Sequence, residues 1–395
     1  MESCRNLTTN NAVGLCLLPS ELIQDILFRL ALPVILRVKT VSKTLTSVIS
    51  STDFRRDYNT QSDPDTWVFV YTKRSLRDSI LHGFTDRSDS WFKIRVSEFL
   101  SPVVPPGEDL SFLTASGDFF LFSSNYCRQL IAVNLKLKTV KKIPPSPLGP
   151  RDISSWRRSG LKLIAGPNGS DRFRFLFAEF YENRPVLFEY VSGSDTWRSI
   201  EAVENDLNRP DSGRKRVYLS LVHRRSDSVV LAVGQEENDQ PPVILRPRFD
   251  GRGVEERLAV GFSTADSSTL NVFGDNYMAI VRSANVDDQQ VRVFGCIELW
   301  GLSGGGGGGM WELRSKVPQD LVNRVRKPYS VIMGCLEARD GIIRVILMSN
   351  FKGMWDIIWF SFDLAKGEWK WVPIPETRME GLNIAGITLS TGLNL

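Results

Sequence analysis

Phe360-Ser361-Phe362-Asp363, a polar turn, and then Glu368-Trp369-Lys370-Trp371-Val372-Pro373 read as a strand and a second strand that opens on tryptophan. The phrase recurs. Phe188-Glu189-Tyr190 leads to Asp195-Thr196-Trp197-Arg198-Ser199-Ile200, and Ile297-Glu298-Leu299-Trp300 leads to Met310-Trp311-Glu312-Leu313 across the glycine run 304–309. Weaker copies are Ala132-Val133-Asn134-Leu135 with Thr139-Val140-Lys141-Lys142-Ile143, and Arg248-Phe249-Asp250 with Glu256-Arg257-Leu258. Ser90-Trp91-Phe92-Lys93-Ile94 opens the series. Short apolar runs punctuated by Gly, Asn, Asp and Pro describe antiparallel strands, and Phe173, Phe175 and Phe177 place three rings on one face of such a strand.

The tryptophan-equivalent positions 91, 140, 197, 257, 311 and 369 are separated by 49 to 60 residues. That period is close to the roughly 50 residues of a kelch blade, one four-stranded sheet per repeat. Six copies predict a mostly β chain with a kelch-like, six-bladed β-propeller over residues 66–395. In the third unit the strands fall at 161–165, 173–180, 186–190 and 197–200, with Asn168-Gly169 as the first hairpin turn. A ring must close, because an open one leaves sheet edges unpaired. The first unit owns three strands, at 67–71, 79–84 and 91–95, so the apolar piece 383–389 is expected to supply its missing inner strand.

The composition supports packed structure throughout. Of 395 residues, 42% are hydrophobic and 10% aromatic, enough apolar surface to offset ordering entropy. A net charge of +4 over this length is too dilute to imply a nucleic-acid partner. Cys4, Cys16, Cys127, Cys296 and Cys335 never approach the CxxC spacing of metal or redox sites, and their odd number argues against a disulfide framework, so a reducing compartment, nucleus or cytoplasm, is expected. The first residues lack the basic flank and apolar core of a signal peptide, and no apolar run reaches bilayer length, so no membrane partner is expected.

Residues 1–14 read as a disordered N-terminus, and from Leu17 to Tyr58 the apolar period is helical. Leu22, Ile26 and Leu30 fall four apart with Ile23 and Leu27 beside them, a double-width stripe. Pro19 suits a first helical turn and Pro33 ends the helix. Val34, Ile35, Val38 and Val41, then Leu45, Val48 and Ile49, complete three short helices over 15–58, with a linker at 59–65. So small a unit exposes much of its surface and leans on a partner.

Leu18-Pro19-Ser20-Glu21-Leu22, Ile26-Leu27, Leu30, Pro33, Leu36-Arg37 and Val41-Ser42-Lys43 resemble the F-box motif in type and spacing. The family places Cys where Ser42 stands and an aromatic where Leu45 stands. The resemblance implies a module that docks on a Skp-family adaptor, and through it a cullin, with Leu18, Pro19, Leu22, Ile26, Leu27, Leu30, Leu36, Val38, Val41 and Lys43 facing the adaptor. With the propeller, the layout is similar to plant F-box proteins with degenerate kelch-type propellers, the group that includes Unusual Floral Organs. Such proteins serve as substrate-recognition subunits of Skp-cullin-F-box ubiquitin ligases. A second reading is a non-degradative scaffold or transcriptional cofactor that holds a partner on the propeller, and a third, a sugar-acting propeller enzyme, needs a metal set or an arginine and carboxylate array that the sequence does not assemble.

No catalytic constellation is legible. His82 and His223 have no second ligand at metal spacing, and no GxxxxGK[ST], HExxH or GxSxG string is present, so no enzyme activity, cofactor or metal is expected. Target recognition falls to propeller loops. Arg214, Lys215 and Arg216 with Arg224 and Arg225, and Arg324, Arg326 and Lys327, are basic clusters suited to an acidic or phosphorylated target. Trp156 and Tyr329 are expected as exposed loop anchors.

Overall fold

A computed structural model describes residues 18–61, 66–73, 79–85, 91–158, 160–166, 170–181, 184–201, 217–223, 229–235, 243–245, 269–274, 276–285, 291–302, 311–352, 354–374 and 383–391. The expected disordered segment 1–14, the turn Asn168-Gly169 and the glycine run lie outside these residues. The chain divides into two compact units, one holding the N-terminal helices and one spanning 66–391.

The first unit has four helices rather than three: α1 (Ser20–Phe28), α2 (Leu32–Val38), α3 (Lys43–Ser50) and α4 (Thr52–Gln61). Pro33 sits in the first turn of α2, where its missing donor is not needed. Ser42 caps α3 by accepting from the Leu45 amide at 3.2 Å, and Ser51 does the same for Phe54 of α4. The fourth helix runs into the expected linker because Phe54 and Tyr58, four apart, both have partners to pack on. Phe54 stacks on Phe28 at 5.0 Å, and the Tyr58 hydroxyl donates to the Leu30 carbonyl at 2.9 Å. Ile23, Leu27, Leu32, Ile35, Leu45 and Ile49 fill the rest of the core.

The second unit is a β-propeller of antiparallel four-stranded blades. The first consists of β1 (Thr66–Lys73), β2 (Ile80–Thr85), β3 (Phe92–Arg95) and, from the other end of the unit, β23 (Asn383–Thr391). A short α5 (Ser97–Leu100) leads to β4 (Leu110–Ser116), β5 (Phe119–Ser124), β6 (Leu130–Asn134) and β7 (Thr139–Ile143). After α6 (Ile153–Arg158) come β8 (Gly160–Ala165), β9 (Phe173–Tyr181), β10 (Arg184–Val191) and β11 (Thr196–Glu201). A three-stranded sheet follows: β12 (Val217–His223), β13 (Val229–Gln235) and β14 (Val243–Leu245). The last two blades are β15 (Thr269–Gly274), β16 (Tyr277–Asn285), β17 (Arg292–Leu302) and β18 (Trp311–Lys316), then, after α7 (Gln319–Val325), β19 (Val331–Arg339), β20 (Ile342–Phe351), β21 (Met354–Asp363) and β22 (Glu368–Val372).

Against the six blades expected, five four-stranded blades are present among the described residues. The sheet standing where the fourth was expected has three strands among the described residues, and its tryptophan-equivalent, Arg257, lies outside them. β23 pairs antiparallel with β1, Thr66 opposite Thr391 and Val70 opposite Ile387, and takes the inner position of the first blade. On its other side it meets β4 so closely that a Cβ at Gly386 would overlap the Phe112 carbonyl, and Gly386 has φ +152°. Only glycine tolerates both conditions.

The recurrent tryptophans now have a physical role. The Trp197 indole donates to the Pro144 carbonyl at 3.0 Å and the Trp369 indole to Ser315 Oγ at 2.9 Å, each reaching the blade before its own. Their rings pack with the aromatic and aliphatic layers between blades, where Phe173, Phe175 and Phe177 share one buried cluster with Phe119 and Leu121. Two third strands also carry a buried carboxylate between cations. Glu189 pairs with Arg174 and Arg198, and Glu298 with Arg282 at 3.4 Å and Lys316 at 2.9 Å. Burial would raise the Glu298 carboxyl, but the Lys316 and Trp300 hydrogen bonds and the Arg282 charge outweigh it and hold the group below the usual range.

A chain ending at Pro375 loses β23 and should show no cooperative propeller melting, while Gly386→Val should cost about 1–3 kcal/mol by overpacking, read as a lowered Tm by tryptophan fluorescence. Because the folded Glu298 pKa is depressed, its stabilisation is present above the unfolded value and lost as pH falls through the folded one. Glu298→Gln should therefore destabilise at pH 7 by about 1–3 kcal/mol and flatten the acid limb of a Tm-against-pH series.

Candidate functional site

Helix α1 divides its double stripe between two environments. Ile23 and Leu27 point into the helical core, whereas Leu22 and Ile26, each one position earlier, are 49% and 40% exposed. Leu36 of α2 is 50% exposed beside buried Ile35, and Val41, in the turn before α3, is 73% exposed. Pro19 and Lys43 are exposed, and Leu18, Leu30 and Val38 are half-buried. Nine of the ten residues expected to face an adaptor are therefore at least partly accessible. Leu27 is the exception, corrected to a core residue because a helix packed on α4 turns one of two adjacent apolar rows inward.

Ser42 and Leu45, where the chain departs from the F-box pattern, both serve α3 itself. The first is its cap and the second is buried at 5% exposure.

In the propeller, the residues proposed from sequence divide differently. Arg214, Arg216, Arg224 and Arg225, with Lys215, lie outside the described residues. Arg324 and Arg326 stand exposed at the end of α7, while Lys327 pairs with Asp356 at 2.8 Å. Trp156 and Tyr329 are corrected from exposed anchors to buried ones, at 2% and 1% exposure. Trp156 lies under the Arg151 guanidinium and against Phe177, and the Tyr329 hydroxyl bonds Ser283 while its backbone bridges to Arg292. An aromatic in an interblade connection is as useful for plugging the blade below as for meeting a partner, and sequence does not separate the two.

His82 is buried and shares a 3.0 Å hydrogen bond with Thr72 Oγ1. Burial, with Lys93 adding to it, pushes its pKa down to about 4, so the ring is neutral at physiological pH. His223 lies on β12. Among the described residues no three of His, Cys, Asp and Glu are gathered to hold a metal ion, and no helix is long and apolar enough to cross a membrane.

What sequence reading missed is the β5–β6 turn. Tyr126 stands 76% exposed at its tip, next to Arg128 in the left-handed region at φ +51°. Ser-Ser-Asn between two apolar runs signals the turn, yet nothing local tells that its tyrosine faces water.

No protein-family model and no curated protein matches the chain. Among solved structures it is similar to TolB from Acinetobacter baumannii, at 10% identity and TM-score 0.43, covering 86% of this chain and 70% of that one. It is also similar to the SapL1 lectin in complex with alpha methyl fucoside, at 10% identity and TM-score 0.41 over 78% and 92% of the two chains. The β-propeller domain of the Trilobed protease from Pyrococcus furiosus resembles it at 14% identity and TM-score 0.34 over 79% and 95%.

The division of α1 is testable by contrast. Leu27→Ala should destabilise the helical unit by about 2–5 kcal/mol, whereas Ile26→Ala should stay within about 0.5 kcal/mol in urea unfolding followed by circular dichroism.

Proposed function

We propose that this chain is the substrate-recognition subunit of a Skp-cullin-F-box ubiquitin ligase, with the helical unit docking on a Skp-family adaptor and the propeller binding the target protein. The observation that carries the reading is the exposure of Leu22, Ile26, Leu36 and Val41 at positions where the F-box resemblance expects adaptor contacts. Burying each in a partner's groove contributes on the order of 1–2 kcal/mol, enough together to anchor a docking module. The subunit then works without bond-making of its own. Holding a target beside a transferring enzyme turns an encounter between free molecules into one between neighbours, and proximity is the whole of its contribution.

A scaffold or cofactor with a vestigial helical unit has no comparable support. The departures at Ser42 and Leu45 would favour it if they interrupted the exposed face, but those two side chains serve the α3 cap and the helical core.

The test is binding of the full chain to a purified Skp-family adaptor. Leu22→Asp with Ile26→Asp should weaken it more than about 100-fold, because two anchors are lost and two charges would be buried unpaired. The melting transition should not move. Adaptor binding that survives the double substitution contradicts the docking face, and a bound target left unmodified by the reconstituted ligase favours the scaffold.

A further inference from the structure

The strands of a blade alternate in direction and the blades repeat in one sense. The β5–β6 turn and the connections carrying α6 and α7 consequently share one rim of the propeller. On that rim the turn is held rigid from behind. Glu108, buried at 6% exposure, accepts from the Tyr126 amide at 2.8 Å and the Cys127 amide at 3.3 Å. The Asn125 amide donates to the Asp109 carbonyl at 2.8 Å, and Ser124 closes the turn by accepting from the Gln129 amide through Oγ at 3.1 Å and donating its own amide to the Gln129 carbonyl at 2.8 Å. A turn so clamped, with Arg128 in a left-handed conformation, presents Tyr126 and Arg128 at little ordering cost to whatever meets them.

Beside it lies a cleft of about 190 Å³, walled by Leu130, Ile143, Pro144, Pro145 and Pro150 with Trp156 behind. That volume is below the roughly 300–1,000 Å³ of small-molecule sites and suits one aliphatic side chain. The charges around it are unevenly committed. Glu108 is turned to its amides, Glu179 pairs with Arg151, and among the described residues no carboxylate pairs with Arg128 or with exposed Lys142.

We propose that this turn and cleft bind an acidic peptide segment of the target: an aliphatic side chain enters the cleft, flanking carboxylates meet Arg128 and Lys142, and Tyr126 covers the bound chain. The site rests on the reading of the propeller as target binder and specifies which rim is used and what chemistry it selects. Carboxylates on both sides of the anchor give the segment its orientation, since Arg128 lines the cleft and Lys142 stands beside Ile143 of its wall.

The probe is a fluorescein-labelled heptapeptide of aspartates and glutamates around a central leucine, compared by anisotropy on the full chain with the same peptide carrying lysines in place of its acids. The acidic peptide should bind about tenfold or more tightly than the basic one, more so at low salt. Arg128→Gly, which φ +51° accommodates without strain, Lys142→Ala and Tyr126→Ala should each weaken it about three- to tenfold, with unchanged melting. Equal binding of the two peptides, or binding of neither, overturns the site. Acidic-peptide binding that survives the three variants and falls with Arg324→Ala and Arg326→Ala also overturns it, while leaving the propeller as target binder. Failure of the wild-type chain to bind adaptor sinks the ligase reading and leaves this site standing.

Discussion

The ring closes only where its first blade is completed, and in this protein the completing strand comes from residues 383–391. β23 lies against β1 through main-chain pairing and against β4 through a glycine contact, so it bonds two blades at once. The cost is a closure between strands more than three hundred residues apart in sequence, the kind of long-range contact that slows folding. The return is that the inner strands neighbour one another around the ring, β19 beside β23 and β23 beside β4. Rim turns can then be held at fixed positions without adding to the core themselves.

Within that ring Trp197 and Trp369 each reach the blade before their own. An indole is large enough to fill the widening gap toward the outer strands, and its N–H still needs a partner when half-buried. Pro144 and Ser315 supply that partner from the preceding blade for Trp197 and Trp369. In both cases the partner lies about one blade back in the chain, 53 and 54 residues away. The Glu189 and Glu298 clusters add a second constraint, fixing the register of three strands around one carboxylate.

These two levels explain what was legible in the sequence. Strand alternation, the tryptophan period and the need for a closing strand are local or arithmetical, and they located β23, the third blade and most strand limits. Whether a given aromatic is covered is decided by residues far away. Trp156 and Tyr329 sit in connections that read as surface, yet Phe177 and Phe294 lie beneath them. The same holds for α1, where the stripe announced an amphipathic helix but only its packing against α4 separated Leu27 from Ile26. Helix α4 is a different case, because Phe54 and Tyr58 are too few apolar positions to announce a helix until Phe28 and Leu30 are brought beside them.

The helical unit leaves Leu22, Ile26, Leu36 and Val41 exposed, and the propeller holds its β5–β6 turn by hydrogen bonds to Glu108, Asp109 and Ser124. The most direct test is hydrogen exchange of the full chain with and without a Skp-family adaptor. The account predicts slowed exchange in residues 20–41 and unchanged exchange in β1 to β23; no protection in 20–41, or protection confined to the propeller strands, would contradict it.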